Sequence, residues 1–280
     1  MPRKIHPEYF KIVVAAIIWG SSGAFVKYLN LPSPVLSFFR LGIPTLILGI
    51  YFIIRKEPLF RNNVQLLLIA SVINAVRLFF FFIGFLNAPI GNAVIMLYSW
   101  PVFAAIFSNL FLKESLPRLN KVLLAVAMVG IVLIYSGKQI SLNNQVFLGM
   151  SAMLLSAALY STTVVIFKKE SVRYTKLQIV FFQNLVGAFL FLPFFLLDLD
   201  ALTLHKSWVA SGYAFLIGIV GFGLFFSSLQ RVKASTASFL AYIEVISAIL
   251  FGVFLFNESL TWNVILGGML IIGSSVILKK

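Results

Sequence analysis

The chain has 280 residues, of which 61% are hydrophobic and 11% charged, and its mean hydropathy is +1.03. Soluble domains carry about a quarter charged residues, so this composition excludes an ordinary soluble domain and predicts a membrane protein. The net charge is +14, but most lysines and arginines lie in short segments between apolar runs, which indicates membrane topology rather than nucleic-acid binding. The chain contains no cysteine, which excludes disulfides, thiol catalysis and cysteine-ligated metals.

Ten apolar runs are long enough to cross a bilayer, for which an α-helix needs about 20 apolar residues. The connections between them are short, and none is long enough for a soluble domain. The sequence therefore predicts an all-α polytopic membrane protein embedded in the lipid bilayer. Its ten predicted transmembrane helices are at residues 10–30, 34–55, 64–86, 90–112, 119–136, 147–168, 176–197, 208–229, 234–256 and 262–278.

The positions of the basic residues predict the orientation. The N-terminus, the even-numbered connections and the C-terminal tail hold 17 of the 22 lysines and arginines. The odd-numbered connections hold two, Lys138 and Lys206. Because basic residues accumulate on the cytoplasmic side of a membrane, both termini are predicted to be cytoplasmic.

The two halves of the sequence resemble each other. LFLKESL follows span four, and LFNESL follows span nine. Aligning Glu114 with Glu258, an offset of 144 positions, also aligns Tyr98 with Tyr242, and SFFR in span two aligns with VFFQ in span seven at an offset of 143. An internal repeat decides the architecture of the whole chain.

Each half contains five spans, and an odd number makes the second copy enter the membrane from the opposite side. The sequence therefore predicts two inverted five-helix repeats, at residues 1–138 and 139–280. Inverted repeats are typical of secondary transporters, in which the substrate binds near the midplane and access alternates between the two sides. A channel or a membrane enzyme needs no such symmetry.

Three motifs occur in order along the chain: an early tryptophan in span one (IIWG, Trp19), an arginine early in span two (SFFRLG, Arg40) and E-S-L after spans four and nine. Together they resemble the motifs of the EamA branch of the drug/metabolite transporter superfamily. The resemblance covers nearly the whole chain. It implies a ten-helix, basket-like carrier of the bacterial cell inner membrane that moves amino acids, other small metabolites or drugs. Span six departs from the pattern, since it reads SAALYST where many relatives keep a tryptophan.

Four ionisable residues lie inside the predicted spans: Lys27, Arg40, Arg77 and Glu244. Such residues are costly in a membrane and usually face the protein interior, so each is a candidate functional residue. Lys27 shares a helix face with Gly20 and Gly23, a stripe of small residues that predicts packing against another helix. The alternative for Lys27 is that its long side chain extends to the membrane interface.

Arg40 is predicted to bind the acidic end of a substrate, because a guanidinium offers two parallel donors to a carboxylate or phosphate. Arg77 is predicted to line the substrate cavity. Gln183 stands at the repeat position of Arg40 and keeps hydrogen bonding without the charge. Arg77 lies deepest, with Asn74 one turn before it. The alternatives are a structural role for Arg40, and a buried pair of Arg77 with Glu244.

Glu244 is interpreted either as a residue that couples transport to protons or as a fixed counter-charge to an arginine. Aromatic residues are predicted to form a wall of the binding site, the alternative being ordinary packing or lipid contact. They are Trp19, Tyr98, Trp100, Tyr160 and Tyr242.

The function predicted from these features is secondary-active transport of a small metabolite, in particular an amino acid or a related carboxylate, with or without proton coupling. The chain has no H-E-x-x-H motif, no paired carboxylates on one helix and no glycine-rich phosphate loop, so it is not predicted to be an enzyme or to hold a cofactor or metal. The alternatives are a carrier of larger nucleoside-like metabolites, a drug exporter, and a channel or lipid-moving protein. The sequence fits a monomer or a homodimer.

Overall fold

The computed structural model describes residues 7–57, 59, 64–112, 118–136, 144–170, 173–229 and 240–278. This part of the chain is helical and contains no strand. In chain order the helices are α1 (Pro7–Gly20), α2 (Ser22–Leu29), α3 (Ser33–Arg55), α4 (Gln65–Asn87), α5 (Ile90–Leu97), α6 (Trp100–Leu112), α7 (Arg118–Tyr135), α8 (Gln145–Glu170), α9 (Lys176–Leu197), α10 (Leu204–Phe215), α11 (Phe222–Leu229), α12 (Ile243–Phe256) and α13 (Trp262–Leu278).

Among the described residues, seven helical stretches have the length and apolar composition needed to cross a membrane, and three further apolar helices are shorter. Large apolar side chains such as Ile53, Leu197 and Phe254 are exposed on the outside of the bundle, as expected for surfaces that face lipid. The prediction of an all-α polytopic membrane protein is confirmed. The arrangement of ten helices as two inverted repeats stays a prediction, and Glu114 and Lys138 lie outside the described residues.

Two predicted spans are interrupted near their middle. Span one divides into α1 and α2 at Ser21, whose hydroxyl donates to the carbonyl of Ile18 at 2.6 Å. Span four divides into α5 and α6 at Tyr98 and Ser99, and the Ser99 hydroxyl donates to the carbonyl of Met96 at 2.7 Å. A broken helix frees backbone carbonyls that need donors inside a membrane, and the serines supply those donors.

Span eight is continuous but irregular. Between α10 and α11 the backbone widens into a π-helical turn at Leu216–Gly221, and such turns are frequent at functional sites. Gly218 and Gly221 lie in this turn, and both allow side chains of neighbouring helices to approach the backbone closely.

The small-residue face of α1 and α2 packs as the sequence predicts. A Cβ on Gly20 would lie 2.7 Å from the carbonyl oxygen of Glu244 on α12, and a Cβ on Gly23 would lie 2.7 Å from Ile90. These glycines therefore let α1 and α2 contact α12 and the start of α5 directly. The largest helix contacts elsewhere are those of α4 with α8, α7 with α13, and α3 with α9.

Candidate functional site

Arg77 lies on the face of α4 that packs toward α8. Its Nε donates to Oδ1 of Asn74 at 3.2 Å, because residues three positions apart share a helix face. Its Cζ lies 4.8 Å from the ring centroid of Tyr160 and 5.8 Å from that of Phe81, within cation–π distance. The Ser156 hydroxyl also donates to the Arg77 carbonyl at 3.0 Å. The guanidinium is therefore held by one amide and two aromatic rings.

Asn74 joins this arginine to α9. Its Nδ2 donates to the carbonyl of Gln183 at 3.0 Å, and Nε2 of Gln183 donates to Asn74 Oδ1 at 3.4 Å. One turn away, the Ser71 hydroxyl donates to the same Gln183 carbonyl at 3.4 Å and accepts from the Val186 amide at 3.1 Å. Gln183, predicted as a site residue, is thus linked to Arg77 through Asn74.

Arg40, on α3, is 8% exposed and lies against the π-helical turn. A Cβ on Gly218 would lie 2.9 Å from Nη1 of Arg40 and 2.8 Å from Pro44, so the glycine makes room for the arginine. The Arg40 Cζ is 5.8 Å from the ring centroid of Phe222. In the described part of the chain, the Arg40 guanidinium has no ion pair and no hydrogen bond.

Trp19 reaches the same turn from the end of α1. Its indole Nε1 points to the carbonyl of Ile217 at 3.4 Å. Its ring lies 5.0 Å from Phe222 and 5.1 Å from Phe225, measured between centroids. A Cβ on Gly221 would lie 2.6 Å from the indole nitrogen. The structure therefore places Trp19 and Arg40 against the same π-helical turn. The sequence did not predict this proximity, and the only signal for it is the pair of glycines Gly218 and Gly221 in the turn.

Tyr98, Tyr242 and Glu244 form a third group at two helix breaks. The Tyr98 hydroxyl lies 2.7 Å from Oε2 of Glu244 and 3.0 Å from the carbonyl of Ala241, so its single proton is shared between two acceptors. The two tyrosine rings, aligned by the repeat, pack with centroids 5.3 Å apart. Tyr98 lies between α5 and α6, and Tyr242 immediately precedes α12.

Glu244 is not ion-paired with an arginine among the described residues. Arg77 interacts electrostatically at longer range with both Glu244 and Arg40. The predicted buried pair of Arg77 with Glu244 is therefore not a direct ion pair in this structure, and the role of Glu244 as a counter-charge stays a prediction. Arg77 is therefore the residue that lies within electrostatic range of both Arg40 and Glu244, and the Glu244 carboxylate accepts from Tyr98.

Trp100 belongs to the Arg77 group, since its ring lies 5.4 Å from that of Tyr160, edge to face.

Lys27 belongs to none of the three groups of residues described above. Its Nζ donates to Oε1 of Glu258 at 2.7 Å and lies 5.9 Å from the ring of Phe256. The other oxygen of Glu258 accepts from the backbone amide of Ile90 at 2.7 Å. Lys27 thus has a carboxylate partner near the start of α5.

Arg40 is buried and Arg77 is half-buried, each near aromatic rings, and such arginines in a polytopic helical protein are typical of a membrane transport protein. The model of the EamA-like transporter family matches residues 6–136 and, a second time, residues 147–279. The chain belongs to this family, and the resemblance found in the sequence is confirmed. Family membership supports membrane transport of small molecules as the activity.

Known relatives cover nearly the whole chain. The pseudopaline exporter CntI of two strains of Pseudomonas aeruginosa is 28% identical over 275 residues, which are 96% of this chain and 94% of the relative. An uncharacterized transporter of Archaeoglobus fulgidus is 26% identical over 267 residues, 95% of this chain and 94% of the relative. Mouse solute carrier family 35 member G1 is 23% identical over 285 residues, 95% of this chain and 76% of the relative.

A solved crystal structure shares the fold. It superposes with a TM-score of 0.61 at 15% sequence identity, and the match covers 97% of this chain and 96% of the other. At this identity the likeness shows the fold alone.

Proposed function

We propose that this protein is a secondary-active transporter of small metabolites that carry a carboxylate, in particular amino acids and related compounds. The observation that carries the proposal is the pair of arginines, Arg40 and Arg77. Neither guanidinium has a carboxylate within ion-pair distance in the described part of the chain. Arg40 is buried and Arg77 is half-buried, and unpaired cations withdrawn from water are costly unless a ligand supplies the opposite charge.

The chemistry of the surrounding residues fits such a ligand. Carboxylates bind arginine through two parallel hydrogen bonds. The ring of Tyr160 lies 4.8 Å from the Cζ of Arg77, and that of Phe222 lies 5.8 Å from the Cζ of Arg40. Glu244 lies within electrostatic range of Arg77. A substrate with an ammonium group, such as an amino acid, would therefore meet both an acidic and a basic group.

Alternating access between two inverted halves is the proposed mechanism. The family model matches two successive segments of the chain, and the aligned residues Tyr98 and Tyr242 pack together where helices break. Both observations support repeats at residues 1–138 and 139–280. Discontinuous helices near the midplane are typical binding elements of transporters built from inverted repeats.

The proposed setting is the bacterial inner membrane, with both termini cytoplasmic, as the basic residues predict. Export is the proposed direction, because a relative that covers nearly the whole chain is an exporter. The alternatives from other classes, a channel, a lipid-moving protein or an enzyme, each predict different results in the experiment that follows.

The first test is a ligand screen by thermal stability in detergent with L-glutamate, L-leucine, succinate and uridine. Ligands that bind the folded state raise its melting temperature. We expect the carboxylates to do so and uridine not to. Stabilisation by uridine alone would support the nucleoside-like alternative and contradict ours.

The second test is counterflow in proteoliposomes with whichever carboxylate binds. Only a carrier shows uptake stimulated by unlabelled solute on the opposite side, so its absence would favour a channel. Arg40→Gln should raise KM about 10- to 150-fold, because hydrogen bonds to charged groups contribute about 1.5–3 kcal/mol. Arg55→Gln is the matched control on the same helix, since Arg55 is exposed and should leave KM unchanged.

A further inference from the structure

The three nitrogens of the Arg77 guanidinium differ in their hydrogen bonds. The guanidinium carries five N–H donors on three nitrogens. Nε is bound to Asn74, and the rings of Tyr160 and Phe81 lie against the group. Within the described residues the two terminal nitrogens have no hydrogen bond and no ion pair. These two nitrogens form an edge with two parallel N–H donors, which suits a carboxylate.

Asn74 is fully buried, and its amide can point in only one direction. Oδ1 faces two donors, Nε of Arg77 and Nε2 of Gln183, while Nδ2 faces the Gln183 carbonyl. Rotating the amide by half a turn would place its N–H groups against two donors and its oxygen against an acceptor. The contacts to α9 therefore fix which atom Asn74 presents to the arginine.

We propose that Asn74 is a positioning residue for substrate recognition. It holds Nε of Arg77, and thereby the guanidinium plane, so that the two terminal nitrogens are presented together to an acidic group. The effect on transport rests on the proposed function, in which Arg77 binds the substrate carboxylate. A group fixed before binding loses less conformational freedom when the ligand arrives, which increases affinity.

Ser71 provides a matched control. It lies one turn before Asn74 on α4 and also bonds to the Gln183 carbonyl, but its described hydrogen bonds do not reach Arg77. Ser71→Ala and Asn74→Ala therefore both remove hydrogen bonds between α4 and α9. Only Asn74→Ala releases the arginine.

The first arm needs no substrate. Protein with ¹⁵N-labelled arginine is placed in lipid nanodiscs, and the Nε–H resonance of Arg77 is assigned by its loss in Arg77→Lys. We expect this proton to exchange slowly with solvent in the wild type and in Ser71→Ala, and rapidly in Asn74→Ala. Equal exchange in Asn74→Ala and Ser71→Ala would overturn the proposal.

A second variant covers the case in which Asn74→Ala does not fold. Asn74→Asp keeps the acceptor oxygen and adds a charge, and charged acceptors form shorter hydrogen bonds. The Nε–H resonance of Arg77 should then persist and move downfield. An unchanged resonance in Asn74→Asp would also overturn the proposal.

The transport arm measures counterflow of L-glutamate. Asn74→Ala should raise KM about tenfold, with maximal rate less affected, because the arginine still carries its charge but is no longer held. Ser71→Ala should leave KM unchanged. On an Arg77→Lys background, which lacks Nε–H, adding Asn74→Ala should not raise KM further.

The two arms separate the two proposals. If the wild type fails to transport L-glutamate, the proposed function is wrong for this substrate, while proton exchange at Arg77 still decides the role of Asn74. If L-glutamate is transported and Asn74→Ala raises KM equally on both backgrounds, Asn74 acts without Arg77 and the positioning role is refuted.

Discussion

Glu258→Gln tests how the start of α5 is held. One oxygen of Glu258 accepts from Lys27 Nζ at 2.7 Å, and the other accepts from the backbone amides of Ile90 at 2.7 Å and Gly91 at 3.4 Å. A glutamine has one acceptor oxygen, so its NH₂ group must face either the ammonium or the helix amides. Both are donors, and one of the two interactions is lost.

The expected cost follows from the burial of the pair. The Lys27 and Glu258 side chains are 23% and 10% exposed, so the interaction is shielded from most of the solvent. A hydrogen bond to a charged group contributes about 1.5–3 kcal/mol, and loss of a helix cap costs about 0.5–2 kcal/mol. Losing one of them completely and weakening the other should cost about 2–3 kcal/mol. For a chain of this length this corresponds to a decrease in melting temperature of about 3–5 °C.

Thermal unfolding in detergent, followed by tryptophan fluorescence, measures the effect. Glu57→Gln is the matched control, because the Glu57 side chain has no hydrogen bond or ion pair to another described residue. Lys27→Met combined with Glu258→Gln should cost less than the sum of the two single changes, since both break the same bond. Equal melting temperatures for Glu258→Gln and Glu57→Gln would refute the reasoning.

Three further outcomes are expected. Glu244→Gln keeps an acceptor for the Tyr98 hydroxyl but removes the titratable group. The variant should retain substrate exchange and thermal stability while losing accumulation driven by a pH gradient. Intact accumulation would show that Glu244 has no role in proton coupling. Gly221→Ala should destabilise the protein by about 1–3 kcal/mol through overlap with an indole, whereas Gly223→Ala, whose Cβ would meet nothing within 4 Å, should melt like the wild type. A cysteine at Lys206 should react with an impermeant maleimide from outside intact cells and one at Lys56 should not; the reverse pattern would invert the topology.

The helices could be predicted because bilayer thickness fixes the length of an apolar run. The interruptions were harder to predict, since Ser21, which is next to Ser22, and Ser99 are small polar residues in largely apolar segments. A serine satisfies a carbonyl of its own helix equally well in a continuous or a broken helix. The π-helical turn at Leu216–Gly221 likewise has no signal beyond its glycines.

The polar residues of the candidate site could be recognised in the sequence, whereas most of their contacts with one another could not. The bond between Asn74 and Arg77 follows from a spacing of three on one helix. The bond between Asn74 and Gln183 joins residues 109 positions apart and depends on how α4 and α9 dock. Glu258 was recognised as a marker of the repeat, but its partner Lys27 is 231 positions away, and no local pattern connects them.

Two carboxylates, Glu244 at the start of α12 and Glu258 just after its end, hold the two ends of α5. Glu258 accepts hydrogen bonds from the first amides of α5. Glu244 accepts from Tyr98, which directly follows the last residue of α5. The eight residues of α5 span about 12 Å. Each end of this short helix is hydrogen-bonded to a carboxylate at or just beyond one end of α12. Lys27, Glu258, α5 and Tyr98 therefore form one continuous series of contacts that ends at Glu244.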